Sequence, residues 1–172
     1  MYLQRRGFIR SLAVLAAALS FSAGAAAQSA GRDYTAIEPA QPTDSPAKVE
    51  VVEFFSYGCP HCNDFNGLVS AWAAKLPADV TFKRVPVSFG RPAWANVGRL
   101  YYALEVTGDL ARLDGEVFKA IHTDRVNMFD ERTMKEWIAK KGVDPRKLDE
   151  AFASFGVMSQ MKRAAAMTQS YK

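Results

Sequence analysis

The only two cysteines of this 172-residue chain, Cys59 and Cys62, are separated by two residues in Ser56-Tyr57-Gly58-Cys59-Pro60-His61-Cys62. A disulfide across so short a loop is a poor staple. The chain-entropy account gives it about 2 kcal/mol, against about 4 or more for loops of tens of residues. Redox chemistry explains the pair better than stability does. Metal binding is the other common use of this spacing, but a closed zinc site needs four ligands. The only histidines are His61, inside the motif, and the distant His122. The redox reading is therefore preferred to a metal site and to an inert pair.

The motif follows an apolar run, Val49 to Phe55, and precedes residues with helical periodicity. Cys59 is thus expected at a helix N-terminus. Unpaired backbone N–H groups and the helix dipole stabilise an anion there. The thiolate is the reactive form of cysteine, which makes Cys59 the expected attacking sulfur. Cys62, one turn further in, is expected to be more buried and to resolve the mixed disulfide. Pro60 suits a first helical turn. A protonated His61 would add positive field beside Cys59; otherwise it is a solvent-exposed residue. Stabilising a thiolate makes the disulfide more oxidising, by about 30 mV for each 1.4 kcal/mol. Glu53, six residues before Cys59 in the apolar run, could carry a proton to or from Cys62. Its alternative is a strand-edge glutamate facing water. Arg84 on the next strand is the expected partner for Glu53, with Lys83 the other candidate while the strand register is open.

The elements that must position these groups read as follows. Lys48 to Phe55 is a strand, nearly continuous in apolar residues, as if covered on both faces. Phe65, Leu68, Val69, Trp72 and Leu76 recur at helical spacing from Pro60, and Pro77 ends that helix. Val80 to Val87 is a second strand, so the segment is a βαβ unit with a parallel sheet. Tyr34 to Ile37 could form a short edge strand within a proline-rich lead-in. The remainder is helical. Trp94, Val97, Tyr101 and Leu104 form a stripe closed by Gly108, and Leu110, Leu113, Val117 and Ile121 form another. Asp130 caps a helix carrying Met134, Trp137 and Ile138 that stops at Gly142. Asp144-Pro145 opens a helix with Leu148, Phe152 and Phe155, broken at Gly156 or Val157. A last helix carries Met158, Met161 and Met167, which read as core in preference to a peptide-binding surface. His122 reads as an ordinary helix-end residue. Two or three strands cannot complete a sheet covered by helices on both faces, so the sheet looks unfinished.

Composition narrows the partners. Hydrophobic content of 49% with 12% aromatics is that of a globular chain with a real core. Most of the formal charge of +4 is carried by the leader: Arg5, Arg6 and Arg10 lie there, which leaves 19 basic against 18 acidic residues, a net +1. No basic stripe remains for nucleic acid. Residues 1–27 have signal-peptide anatomy: a basic start to Arg10, an apolar stretch from Ser11 to Ser22, and Ala25-Ala26-Ala27 before Gln28. The stretch is too short to span a membrane. Arg5-Arg6-Gly7-Phe8-Ile9-Arg10 also resembles a twin-arginine signal, so export is expected by that route or the general secretory one. Either leads to an oxidising periplasm.

The run Glu53-Phe54-Phe55-Ser56-Tyr57-Gly58-Cys59-Pro60-His61-Cys62 resembles the DsbA family of periplasmic disulfide oxidases. The Pro60-His61 dipeptide is that family's, unlike the Gly-Pro of thioredoxins. The resemblance extends from Asp33-Tyr34 to Lys172. It implies an α/β, thioredoxin-like fold with an inserted helical domain. Residues 28–90 would then be the βαβ part, 91–157 the insertion, and 158–172 the start of the return. It implies oxidation of reduced exported proteins, reoxidation by a DsbB-like membrane quinone reductase, and Cys59 and Cys62 as the redox pair. Glu53 and Arg84 fall where the family keeps a buried acid and a basic partner. Family members continue into a cis-proline loop, two strands and a helix. No proline follows Pro145 here, so the chain as written is expected to be a truncated product or fragment. A monomeric disulfide oxidase without cofactor or metal is the leading expectation. The alternatives are a reductase or isomerase, and an inactive peptide-binding module.

Overall fold

The computed structural model describes residues 28–171; the expected signal peptide lies outside them. Residues 28–38 belong to one compact unit and residues from Pro39 onward to another. In the first, the Asp33 carboxylate accepts the Ser29 amide at 2.8 Å and Gly31 bonds back to Tyr34. This folds the segment into a turn closed by an isolated Ala30–Tyr34 bridge. The edge strand expected over Tyr34 to Ile37 does not form: Tyr34 takes part only in the isolated bridge, and residues 35–37 have no regular structure.

The second unit begins with strand β1 (Val49–Phe55), helix α1 (Pro60–Ala73) and strand β2 (Val80–Pro86). The two strands pair in parallel, with Glu53 opposite Arg84 and Val52 opposite Lys83. This is the expected βαβ unit. It is the only sheet among the described residues, and it has two strands. Two details differ from expectation. Residues 50–54 are only partly buried, so β1 is not covered on both faces here. α1 ends at Ala73, short of Pro77, and of its apolar stripe only Val69 is buried.

Five further helices follow: α2 (Pro92–Thr107), α3 (Leu110–His122), α4 (Glu131–Lys140), α5 (Pro145–Ala153) and α6 (Phe155–Ser170). Their ends follow their capping chemistry. Gly108 terminates α2 in the left-handed conformation at φ 79°, which glycine adopts without a Cβ penalty. The Asp130 side chain accepts the Thr133 amide of α4. Asp144 accepts the Arg146 and Lys147 amides of α5, where Pro145 occupies the first turn. The break before α6 falls at Ser154, not at Gly156 or Val157. Ser154 is extended, ends α5, and caps α6 by accepting the Val157 amide. Phe155 therefore starts a new helix and is 88% exposed, not part of the α5 stripe.

The core sits between these helices and the C-terminal ends of the strands. Leu100 and Leu104 of α2, Leu113 and Val117 of α3, Met134 and Ile138 of α4, and Leu148 and Phe152 of α5 meet Phe55 and Val85 from the sheet. Met161 and Met167 pack partly against this cluster, in line with a core role, but Met158 is half exposed.

Candidate active site

β1 delivers the motif to the edge of this core. Its last residue, Phe55, is fully buried, as are Ser56 and Tyr57. The Phe55 ring meets Tyr57, Tyr101 and Phe118, with centroids 5.2, 5.3 and 6.0 Å away. From this aromatic base the chain turns sharply. The Cys59 amide donates to the Ser56 carbonyl at 3.0 Å, and the Gly58 amide donates to the Ser56 hydroxyl at 3.2 Å. Gly58 is needed at the turn, since a Cβ there would lie 2.7 Å from the Trp94 indole.

Cys59 is the N-cap of α1, and Pro60 takes the first helical position. No side chain caps this helix start, so its unpaired amides face the Cys59 end of the helix. Each of the two cysteines is partly buried. Cys62 packs against the core. Its burial, opposed by a backbone hydrogen bond from Ser56 and reinforced by Cys59 and Glu53, pushes the thiol up to about 11. Cys62 thus stays protonated at neutral pH. His61 and Pro60 are exposed on the first turn.

Below the motif lies a charged network. Arg84 Nε donates to Glu53 at 2.8 Å and its Nη1 to Asp114 at 2.7 Å. Its side chain is 9% exposed, and its guanidinium carbon lies 4.2 Å from the Phe55 ring centroid. Facing an aromatic ring and two carboxylates offsets the cost of burying this charge. Lys83, the other candidate partner for Glu53, pairs instead with Asp44. Successive strand residues face opposite sides, so only one of the pair could reach Glu53.

Two residues of α3 take parts that the sequence does not give them: Asp114, unmarked there, and His122, expected only to end a helix. Asp114 accepts the Tyr57 hydroxyl at 2.6 Å as well as Arg84. Burial foremost, and then the Asp114 charge, raise the Tyr57 phenol well above its ordinary value, so it remains a donor. His122 is not an ordinary helix-end residue. Its Nε2 lies 2.8 Å from the Tyr57 carbonyl; a carbonyl only accepts, so Nε2 carries the proton. A buried tyrosine in the motif was the available signal, because its hydroxyl must find a partner. Among the described residues, no three His, Cys, Asp or Glu side chains gather as a metal-ligand set.

A cysteine at a helix start, followed one turn later by a desolvated, protonated cysteine, is suited to thiol–disulfide exchange. Comparison with known proteins agrees. Residues 50–172 match the DSBA-like thioredoxin domain family. The chain is 41% identical over 169 residues to the thiol:disulfide interchange protein DsbA of Bordetella parapertussis, covering 97% of this chain and 79% of that one. It is 34% identical over 168 residues to DsbA of Pseudomonas aeruginosa, covering 98% and 79%. The crystal structure of Pseudomonas aeruginosa DsbA superposes with a TM-score of 0.77 at 37% identity, over 83% of this chain and 73% of that one. The chain belongs to the DsbA family of thioredoxin-like proteins and is a protein disulfide oxidoreductase.

Proposed function

We propose that this protein acts in the periplasm as a disulfide donor to newly exported proteins. In the oxidised enzyme a substrate thiolate attacks Cys59 Sγ. The Cys59–Cys62 bond breaks and a mixed disulfide forms. Cys62 leaves as a thiolate and takes up a proton. The second substrate thiolate then attacks the substrate sulfur of the mixed disulfide, and Cys59 leaves as a thiolate. The substrate loses two electrons and the enzyme's disulfide gains them. The single observation that carries this reading is geometric: Cys59 stands at a helix start that no side chain caps, and Cys62 lies one turn in, packed against the core. Once protonated, Cys62 is a poor nucleophile, so in this direction the second substrate thiolate, and not Cys62 as expected from the sequence, resolves the mixed disulfide.

The remaining roles follow from placement. Glu53 is the proton carrier for Cys62, and Arg84 holds Glu53 and Asp114 in place beneath it. His61, exposed next to Cys59, adds positive field when protonated. Pro60 holds the first turn. Reduced enzyme requires an oxidant, and a DsbB-like membrane quinone reductase is the proposed partner. The working division is a βαβ part over residues 28–90, a helical insertion over 91–157, and a return from 158, with α6 passing between the last two. Export by the twin-arginine or the secretory route, and a monomeric state, belong to the same proposal.

The test uses the oxidised protein mixed with a reduced peptide that carries two cysteines. The expected result is stoichiometric loss of peptide thiols with appearance of Cys59 and Cys62 thiols, followed by mass spectrometry. Cys59→Ser is expected to abolish transfer. If Cys59→Ser oxidised the peptide as fast as the unaltered protein, the mechanism would fall.

A further inference from the structure

We infer that α3 acts as a clamp on the redox loop, with His122 and Asp114 as positioning residues that tune the Cys59–Cys62 pair through Tyr57. The inference deepens the disulfide-donor reading and rests on it.

The geometry is specific to one residue. Tyr57 is 1% exposed and stands two positions before Cys59. It is held at both ends by one helix. Asp114 takes its hydroxyl at 2.6 Å, and His122 donates to its carbonyl at 2.8 Å. These two residues are eight positions apart on α3, a little over two turns, and so share a face. Between them Phe118 meets the Tyr57 ring edge-on at 4.9 Å and stacks beneath His122, with ring centroids 6.3 Å apart. Helix, ring and backbone carbonyl therefore form one rigid contact.

The consequence reaches the sulfur through the backbone. The Tyr57 carbonyl belongs to the peptide that leads into Gly58 and Cys59, inside the turn closed by Cys59 and Ser56. The His122 donor fixes the rotation of this peptide. It also neutralises the negative end of a carbonyl dipole close to where a Cys59 thiolate forms. Without it, the peptide turns to seek another donor, and the alignment of Cys59 with the start of α1 loosens. The reduced form, in which the Cys59 sulfur draws on the helix start, suffers more than the neutral disulfide. Loss of the clamp should therefore make the pair a weaker oxidant.

The experiment measures the equilibrium of the full chain with glutathione for the unaltered protein and for His122→Gln and His122→Leu. Leucine removes the donor. Glutamine retains an N–H able to reach the carbonyl. His122→Leu is expected to shift the equilibrium about five-fold toward oxidised protein, the worth of one net hydrogen bond, and to slow peptide oxidation. His122→Gln is expected to recover most of both. A merely structural histidine predicts equal loss in the two variants, and that result overturns the clamp. Tyr57→Phe, which frees only the Asp114 end, should shift the equilibrium in the same sense. Should His122→Leu not fold, Tyr57→Phe decides alone, and an unshifted equilibrium overturns the inference. An unaltered protein that fails to oxidise peptide would sink the donor reading instead; an active one with unshifted variants sinks only the clamp.

Discussion

In helices α2 to α5 the apolar stripes point inward: Leu104 and Met134 are 0% exposed and Leu148 is 1% exposed. In α1 the equivalent stripe lies open, with Phe65, Leu68 and Trp72 at 51%, 69% and 44%. These three line an apolar groove of about 550 Å³ against Val51 and Phe82 of the strands. Both regions show the same helical period. Periodicity identifies the apolar face of a helix and is silent about what covers it. The difference also separates two tasks. The helical region supplies the buried mass, and the βαβ region supplies the reactive residues. The two meet at Tyr57, Arg84 and Phe55.

If the helical region carries the stability, truncations in the two regions should differ sharply. Phe152, 1% exposed, packs under the Arg99 guanidinium at 4.1 Å. Phe152→Ala is expected to cost about 3–5 kcal/mol, the usual loss for a buried aromatic. Leu68→Ala on the open face of α1 should stay within about 0.5 kcal/mol. Urea unfolding of both variants reads the contrast. Near-equal losses would break it, and would mean that the α1 face is covered in solution.

The junction should be sensitive to its single cation. Arg84→Leu leaves Glu53 and Asp114 without their shared partner. Breaking a buried pair by removing one member costs about 3–5 kcal/mol. These carboxylates keep some water, with side chains 14% and 20% exposed, so the lower end of that range is expected. Adding Glu53→Gln and Asp114→Asn to Arg84→Leu should restore part of the loss. Lys83→Ala opens only the exposed pair with Asp44 and should cost at most about 1 kcal/mol. Equal effects of the two basic residues would remove the distinction between junction and surface.

The legible parts of the sequence were those whose cause is local. Gly108, Asp130 and Asp144-Pro145 announce helix ends because a cap acts on amides within a few residues. The cysteine spacing announces its chemistry for the same reason. The break before α6 falls at Ser154 and not at Gly156 or Val157, because a serine able to cap the next helix already suffices. Glu53 and Arg84 were visible as residue types, and only the parallel register chose Arg84 over Lys83. Asp114 carries no mark in the sequence, and His122 reads there only as a helix-end residue. Asp114 follows the core residue Leu113 on α3, and nothing in its neighbours marks it. Both act on a residue more than 50 positions away, so their role exists only once α3 docks on the loop.

The finest test of the junction is alkaline. Cys62 is raised from 9.0 to about 11 mainly by burial. In the unfolded reduced chain this thiol releases its proton near its ordinary value, while the folded chain holds it until about 11. Between those values the unfolded state binds fewer protons, so the stability of the reduced protein falls as pH rises. Below about 9 the contribution is fully present. Burial also raises Tyr57, Tyr101 and Tyr102, but these phenols are common to both redox forms. The oxidised protein has no Cys62 proton to lose. Denaturant midpoints of the two forms, followed from pH 9 to 11 with reduced Cys62→Ser as the control that keeps the Cys59 thiol, should therefore diverge, with the unaltered reduced form declining most steeply. Parallel curves would show that Cys62 is as well solvated folded as unfolded, and the βαβ region would then lack the desolvated thiol that keeps Cys62 from attacking the mixed disulfide.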